Sequence, residues 1–362
     1  MSKIGNTELN EEFLVEYLNS HAPVGHEIQM GGQKKWIDYI TPFVDRVETD
    51  VFGTAYAIIA NEDSDYKVVI DAHADEIAWT VNYIRPDGFI KVDRLGGSDS
   101  LIAPGLRTNI WGKDGVVRGV FGFPPIHDHK RNKNAGLEDI FLDIGASSKE
   151  EVLERGIEVG TPLTFVAETE FLGKDNEFIV ARALDNRIGG FAIAEVARKL
   201  SENGIKLPYN LYIVNAVQEE VGLRGAEMAT QNIKPDVAIV TDVCHATDSP
   251  AYNKERQGDF DAGKGAVVDK APAINNKLRD LVRKSADDKG VPYQLSTSSR
   301  VTGTNTDAYA YSNGGVVCAL ISFPLRYMHT TNEVVHKDDV VNVIRTIYHT
   351  LKNIEDEHDF KA

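Results

Sequence analysis

The sequence predicts an α/β fold interrupted by a small β domain, and three observations carry that reading. Nearly unbroken apolar runs, such as Leu211-Tyr212-Ile213-Val214 and Val68-Val69-Ile70, suit strands covered on both faces by helices. Segments with apolar residues three and four apart alternate with those runs. From about residue 79 to residue 169 the helical periodicity nearly vanishes, and short β-branched runs alternate with glycines such as Gly88, Gly96, Gly97 and Gly105. The expected organisation is one larger domain made of residues 1–78 and 170–362, with residues 79–169 inserted into it.

Phe13, Leu14, Tyr17 and Leu18 place a helix over residues 10–20, ended by Pro23 and Gly25. Trp36, Ile37 and Ile40 mark a second over residues 28–40. Residues 46–51 and 54–60 are expected as strands joined through Gly53, and residues 66–72 as a buried strand that delivers His73-Ala74-Asp75-Glu76. Within the inserted domain, residues 126–135 place His127 and His129 in a cationic run, which predicts a solvated loop; the two histidines could share a metal only on a strand. A strand over 177–183 leads to Asp185-Asn186 and a helix over 187–203 that buries Ile188, Phe191, Ala192, Val196 and Leu200. The strand from Tyr209 ends in Glu219-Glu220, with Gly222, Gly225 and a short helix after it. Residues 237–240 form a strand closing at Thr241-Asp242. A helix over 275–289, a glycine and threonine loop over 303–307, a strand over 316–323, a loop over 324–331 and a closing helix over 338–354 complete the chain.

Composition bounds the function. A chain of 362 residues, 42% hydrophobic and 26% charged, is an ordinary globular length for about two domains, which excludes disordered and fibrous classes. The net charge of -16 repels phosphate backbones and anionic lipid, so neither nucleic acid nor a membrane is an expected partner. The first residues lack a basic stretch followed by an apolar one, and no apolar run is long enough to span a bilayer; the expectation is a cytoplasmic protein. Cys244 and Cys318, far apart and without CxxC spacing, are expected as core thiols.

Four predicted strand ends carry carboxylates or imidazoles: His73 and Asp75, Glu219 and Glu220, Asp242, and His329, while Asp185 follows a fifth. In α/β sheets, chemistry collects beyond the carboxyl ends of the strands. Each residue alone has a structural reading: Asp185 as a helix cap, Asp242 and the Glu219-Glu220 pair as solvated strand ends, His329 as a satisfied core histidine. Together, two histidines and three carboxylates supply ligands for two zinc-like ions, because imidazole and carboxylate suit such metals and a carboxylate can bridge. A further carboxylate remains for proton transfer. Extended neighbours such as Glu219 and Glu220 point to opposite sides, so one could hold a metal while the other reaches the reacting water. Asp75, two residues beyond His73, is placed to orient that imidazole through its other nitrogen.

Taken in order, H-A-D-E-I from His73, A-L-D-N-R around Asp185, V-Q-E-E-V-G around Glu219, the T-D of Asp242, G-T-N-T-D-A from Gly303 and F-P-L-R-Y-M-H-T-T-N-E through His329 resemble the tetrahedral aminopeptidase family, which includes glutamyl aminopeptidases. The likeness runs over almost the whole chain. It implies a mixed-sheet, phosphorylase/hydrolase-like α/β catalytic domain formed by 1–78 and 170–362, a barrel-like β dimerisation domain at 79–169, and dimers gathered into a dodecamer. It also implies two divalent ions per subunit, zinc or cobalt, one held by His73 and Asp242 and the other by Glu220 and His329, with Asp185 bridging both and Glu219 as general base. The implied substrates are short peptides with a free N-terminus, cleaved at the first peptide bond by a hydroxide shared between the ions. Ala78, Thr304 and Asn305 depart from the family pattern, and none is an implied ligand.

Two other classes remain. A related dinuclear deacylase or carboxypeptidase would use similar ligands but needs a cation for the substrate carboxylate, for which Arg326 is the candidate. A non-catalytic assembly protein with a vestigial site predicts missing ligands, and none is missing. A two-carboxylate glycosidase would leave His73, Asp185, Asp242 and His329 without work.

Overall fold

In a computed structural model that describes residues 9–127, 136–355 and 359–361, the apolar runs lie side by side in one eight-stranded sheet. From edge to edge its strands are Arg46–Thr49, Ala55–Ile59, Asn210–Ala216, Lys67–His73, Val237–His245, Val317–Leu325, Ala266–Val268 and Tyr293–Leu295. The four strands from Asn210–Ala216 to Val317–Leu325 are mutually parallel, and antiparallel partners flank them on both sides, so the sheet is mixed. Parallel neighbours need long crossovers, and here helices supply them on both faces. Val68 and Ile70 point into a core shared with Trp36, Phe191 and Ile347, whereas Val69 points into a second core with Val214, Ala229 and Tyr309. That alternation explains why the run carries no polar interruption: either face is covered.

The helices Glu11–Asn19, Leu184–Glu202, Asn276–Asp287 and Lys337–Asn353 fall close to their predicted spans. The helix expected over 28–40 begins only at Gly32, because Gly31 takes a left-handed φ of 89° that a right-handed helix cannot include. The strand expected to close at Asp242 continues to His245, since Val317–Leu325 pairs with it along its whole length. Ala266–Val268, Tyr293–Leu295 and Glu333–His336 lie outside the predicted elements; strands of three or four residues are too short for alternation to show. The last of them pairs antiparallel with Phe178–Ala181, which also pairs with Glu170–Leu172.

Six strands, Ala78–Ile84, Ile90–Leu95, Phe141–Asp143, Gly115–Gly122, Arg107–Gly112 and Pro162–Phe165, close into a barrel around Trp79, Phe121, Leu142 and Leu163. His127 lies exposed in a turn rather than on a strand, and His129 lies outside the described residues. No helix among the described residues is long and apolar enough to cross a membrane.

The barrel meets the larger domain at His21. Thr164 Oγ1 accepts from Trp111 Nε1 at 3.1 Å and shares a hydrogen bond of 2.9 Å with His21 Nδ1. Burial, reinforced by Arg182, lowers the pKa of His21 to about 3. A base whose folded pKa lies below its unfolded value of 6.5 adds stability above that value and loses it as pH falls toward 3. Wild-type protein should therefore lose thermal stability between pH 7 and pH 5, with a flatter Tm profile for His21→Gln; parallel profiles would contradict this contribution.

Candidate metal centre

His73 is the last residue of its strand and pairs with Ala216, the last residue of the neighbouring strand. The chain then bends at Gln218, whose φ of 56° starts a 3₁₀ turn over Glu219–Val221. The two glutamates are thus not extended neighbours facing opposite sides, as their position after a strand had suggested; the turn brings both carboxylates into one cluster. Asp75 holds that turn by accepting from the backbone N–H of Glu219 at 3.0 Å and of Glu220 at 3.1 Å. It also faces His73 Nδ1, with its carbonyl oxygen at 3.1 Å and its carboxylate at 3.5 Å. A histidine whose Nδ1 is engaged in this way presents Nε2 to whatever lies in front.

In front lies Asp185. Its Oδ1 is 3.1 Å from His73 Nε2 and its Oδ2 is 3.2 Å from His329 Nε2, so one carboxylate stands between the two imidazoles. Around this axis, Glu219 Oε2 and Asp242 Oδ1 are each 3.9 Å from His73 Nε2, and Glu220 Oε2 is 3.6 Å from His329 Nε2. Donor atoms of His73, Glu219 and Asp242, and of His73, Asp185 and Glu220, lie within 4.8 Å of one another. Asp185 does not cap its helix: the backbone at Asp185 and Asn186 is non-helical, Asn186 Oδ1 accepts from Gly189 N at 3.1 Å in the capping role, and Asn186 Nδ2 donates to Thr241 O at 2.8 Å, tying the segment to the strand of Asp242.

Glu333 has a part that the motif alone did not reveal. Its carboxylate accepts from the backbone N–H of His329 at 2.7 Å and of Asp185 at 3.0 Å, fixing two of the clustered residues at once. His329 itself takes a left-handed φ of 63°, a conformation that persists only when its surroundings dictate it. Gly97 is one such surrounding, because a Cβ there would stand 2.6 Å from His329 Nδ1. Glu76, beside Asp75, ties the neighbouring segments together: its buried carboxylate pairs with Arg182 and accepts from Arg187 Nη2 at 2.9 Å and from Ala22 N at 2.7 Å. Asn305 donates to Asp71 Oδ1 at 2.8 Å.

Carboxylates outnumber their cationic partners here. Burial acts against ionised Asp185, but hydrogen bonds from His329 and His73 overcome it and hold the carboxyl well below the usual range. Burial disfavours a charged His73, yet Glu219, Asp185 and Asp75 raise it well above the ordinary histidine value. Glu220 and Asp242, with less compensation, are raised well above theirs by burial, and burial brings Glu219 up to about 7. Glu220 Oε1 is buried without a hydrogen-bond partner. An orphaned carboxylate oxygen among buried acids and imidazoles is a donor set that a divalent metal ion satisfies.

A cavity of about 450 Å³ opens before the cluster and extends along the sheet toward Asp269 and Ser296. Cys318 is buried as expected, whereas Cys244 lines this cavity. Arg326 is spoken for: its Nε donates to Asp248 Oδ1 at 3.0 Å and its Nη2 bonds the other oxygen of the same carboxylate.

A family model of the M42 glutamyl aminopeptidases matches residues 53–346. The chain is similar to the lysyl aminopeptidase of Pyrococcus furiosus, 34% identical over 340 residues that cover 92% of this chain and 94% of that one. Its structure is similar to that of the aminopeptidase APDkam598 of Desulfurococcus kamchatkensis, with a TM-score of 0.88, 31% identity and 97% of each chain covered. It is also similar to the TET1 peptidase of Pyrococcus horikoshii, described as assembling into a tetrahedron or a large octahedral shell, with a TM-score of 0.82, 26% identity and 94% of this chain against 98% of that one. A likeness that spans the sheet, the barrel and the cluster between them leaves one assignment: the chain belongs to the M42 glutamyl aminopeptidase family and is a peptidase hydrolase.

Proposed function

We propose that this chain is a dinuclear metal-dependent aminopeptidase that removes the first residue of short peptides. The observation that carries the proposal is the Asp185 carboxylate, whose two oxygens face His73 and His329 separately. In this reading His73 and Asp242 would hold one ion, Glu220 and His329 the other, and Asp185 would serve both. Two divalent ions held there would supply Lewis acidity, lowering the pKa of a bound water toward about 7 and polarising the scissile carbonyl. Glu219 takes the proton of the attacking water and passes it to the leaving amine nitrogen, serving first as base and then as acid. Asp75 and Glu333 do not touch substrate; they hold the Glu219-Glu220 turn, the His73 ring and the Asp185 and His329 backbones in register.

The free α-amine of a peptide would bind beside a metal and the nearby carboxylates, which confines cleavage to the first peptide bond. Arg326, the candidate cation for a substrate carboxylate, is already paired with Asp248, which argues against a carboxypeptidase. We extend to this chain the assembly described for the P. horikoshii relative, with the barrel as the dimer contact; Tyr83, Val116 and Val120 are large apolar side chains exposed on it. The reading is tested with a pair of peptides that differ only in N-acetylation. The free-amine peptide should be cleaved, the blocked one spared, and activity should vanish on chelation and return with zinc or cobalt. Cleavage of the blocked peptide alone would overturn it.

A further inference from the structure

We propose that Asp269 makes this site selective for peptides whose first residue carries a cationic side chain, lysine or arginine; the proposal rests on the aminopeptidase reading. Asp269 follows the strand Ala266–Val268 and lines the far part of the cavity that contains the metal cluster. Its side chain is 3% exposed, Oδ1 accepts from Ser296 Oγ at 2.7 Å, and Oδ2 is buried with no hydrogen-bond partner. Arg279 does not fill that vacancy, because its Nε donates to the main-chain oxygen of Asp269. Most buried carboxylates have partners for their oxygens, since buried polar groups are nearly always hydrogen-bonded. One left half-satisfied at a cavity wall is matched by a ligand that donates to it.

Charge and distance select the ligand. The two divalent ions of the proposed centre bring four positive charges, which Asp185, Glu219, Glu220 and Asp242 balance. Among the residues that line the cavity, Asp269 is the remaining carboxylate, and no lysine or arginine lines the cavity among the described residues. His245, also in the wall, has its pKa lowered by burial and supplies no cation at neutral pH. The ladder gives the separation: Asp242 pairs with Ser322, and Ser322 with Val267, two residues before Asp269. Two strand spacings put the Asp269 strand roughly 10 Å from the strand of Asp242, a span suited to an extended basic side chain whose α-carbon lies at the metal end. Phe260, Leu320 and Met328 give the methylene stem an apolar wall. A glutamyl side chain would instead place its carboxylate against Asp269.

The test uses zinc- or cobalt-loaded enzyme and fluorogenic amides of lysine, norleucine and glutamate, norleucine being the lysine shape without its ammonium. A buried charge-assisted hydrogen bond predicts kcat/KM at least about tenfold higher for lysyl than for norleucyl, with glutamyl lowest. In Asp269→Asn the lysyl-to-norleucyl ratio should fall to near one. A wild-type ratio at or below one, a measurement that needs no variant, overturns the proposal, as does an unchanged ratio in Asp269→Asn. Either result, with norleucyl still cleaved, leaves the aminopeptidase reading standing; cleavage of none of the amides would overturn both.

Discussion

Replacing Glu219 with glutamine is expected to leave both ions bound and the fold intact while lowering kcat by about 10²–10⁴-fold, the scale of general acid–base catalysis. Glutamine keeps the volume of the side chain in its turn, and the Asp75 bonds that hold that turn go to the backbone, so they survive. What disappears is the ability to accept and return a proton. The competing role comes from the same geometry: Glu219 Oε2 lies as far from His73 Nε2 as Asp242 Oδ1 does, 3.9 Å, so Glu219 could itself be a ligand. Metal content separates the two. A ligand loses its ion along with activity, whereas a base loses activity alone. The pH profile gives a second reading. Glu219 must be ionised to start the reaction, so the acidic limb of kcat/KM, where activity falls as pH falls, should vanish in the variant.

Asp185→Ala should have the opposite signature, loss of both ions together. Its carboxylate is the one whose two oxygens face two imidazoles, and deletion leaves His73 Nε2 and His329 Nε2 without their shared partner. Residues that only orient a metal's ligands typically contribute about 10–100-fold in affinity, so a ligand common to both ions should exceed about 100-fold for each. His329→Ala should instead weaken one ion preferentially. Equilibrium dialysis with metal analysis distinguishes the cases, and retention of one full-affinity ion by Asp185→Ala would remove its bridging role.

Which of these residues the sequence reveals depends on the range of the forces that place them. The parallel strands are legible because burial on both faces writes itself into adjacent residues, and with them come His73, Asp242 and the loop of His329. The twist that turns Glu219 and Glu220 inward together is not legible, since it depends on a positive φ at Gln218 and on the distant carboxylate of Asp75. For the same reason Asp75 looks like a partner of His73 alone, when it also holds the glutamate turn. The extension of Val237–His245 past Asp242 follows from a neighbour some eighty residues on in the chain, Val317–Leu325. Glu333 stands in a quoted motif, but its clamp on Asp185 exists only because Glu333–His336 pairs with Phe178–Ala181. Asp269 carries no local signal, as it follows a three-residue strand whose place is set by the sheet.

Anomalous scattering from crystals of the zinc-loaded enzyme tests the pairing of ions most directly. Two peaks per chain are expected, one touching His73 and Asp242, the other Glu220 and His329, with Asp185 reaching both. A single peak, or a pair lying away from Asp185, would contradict the account.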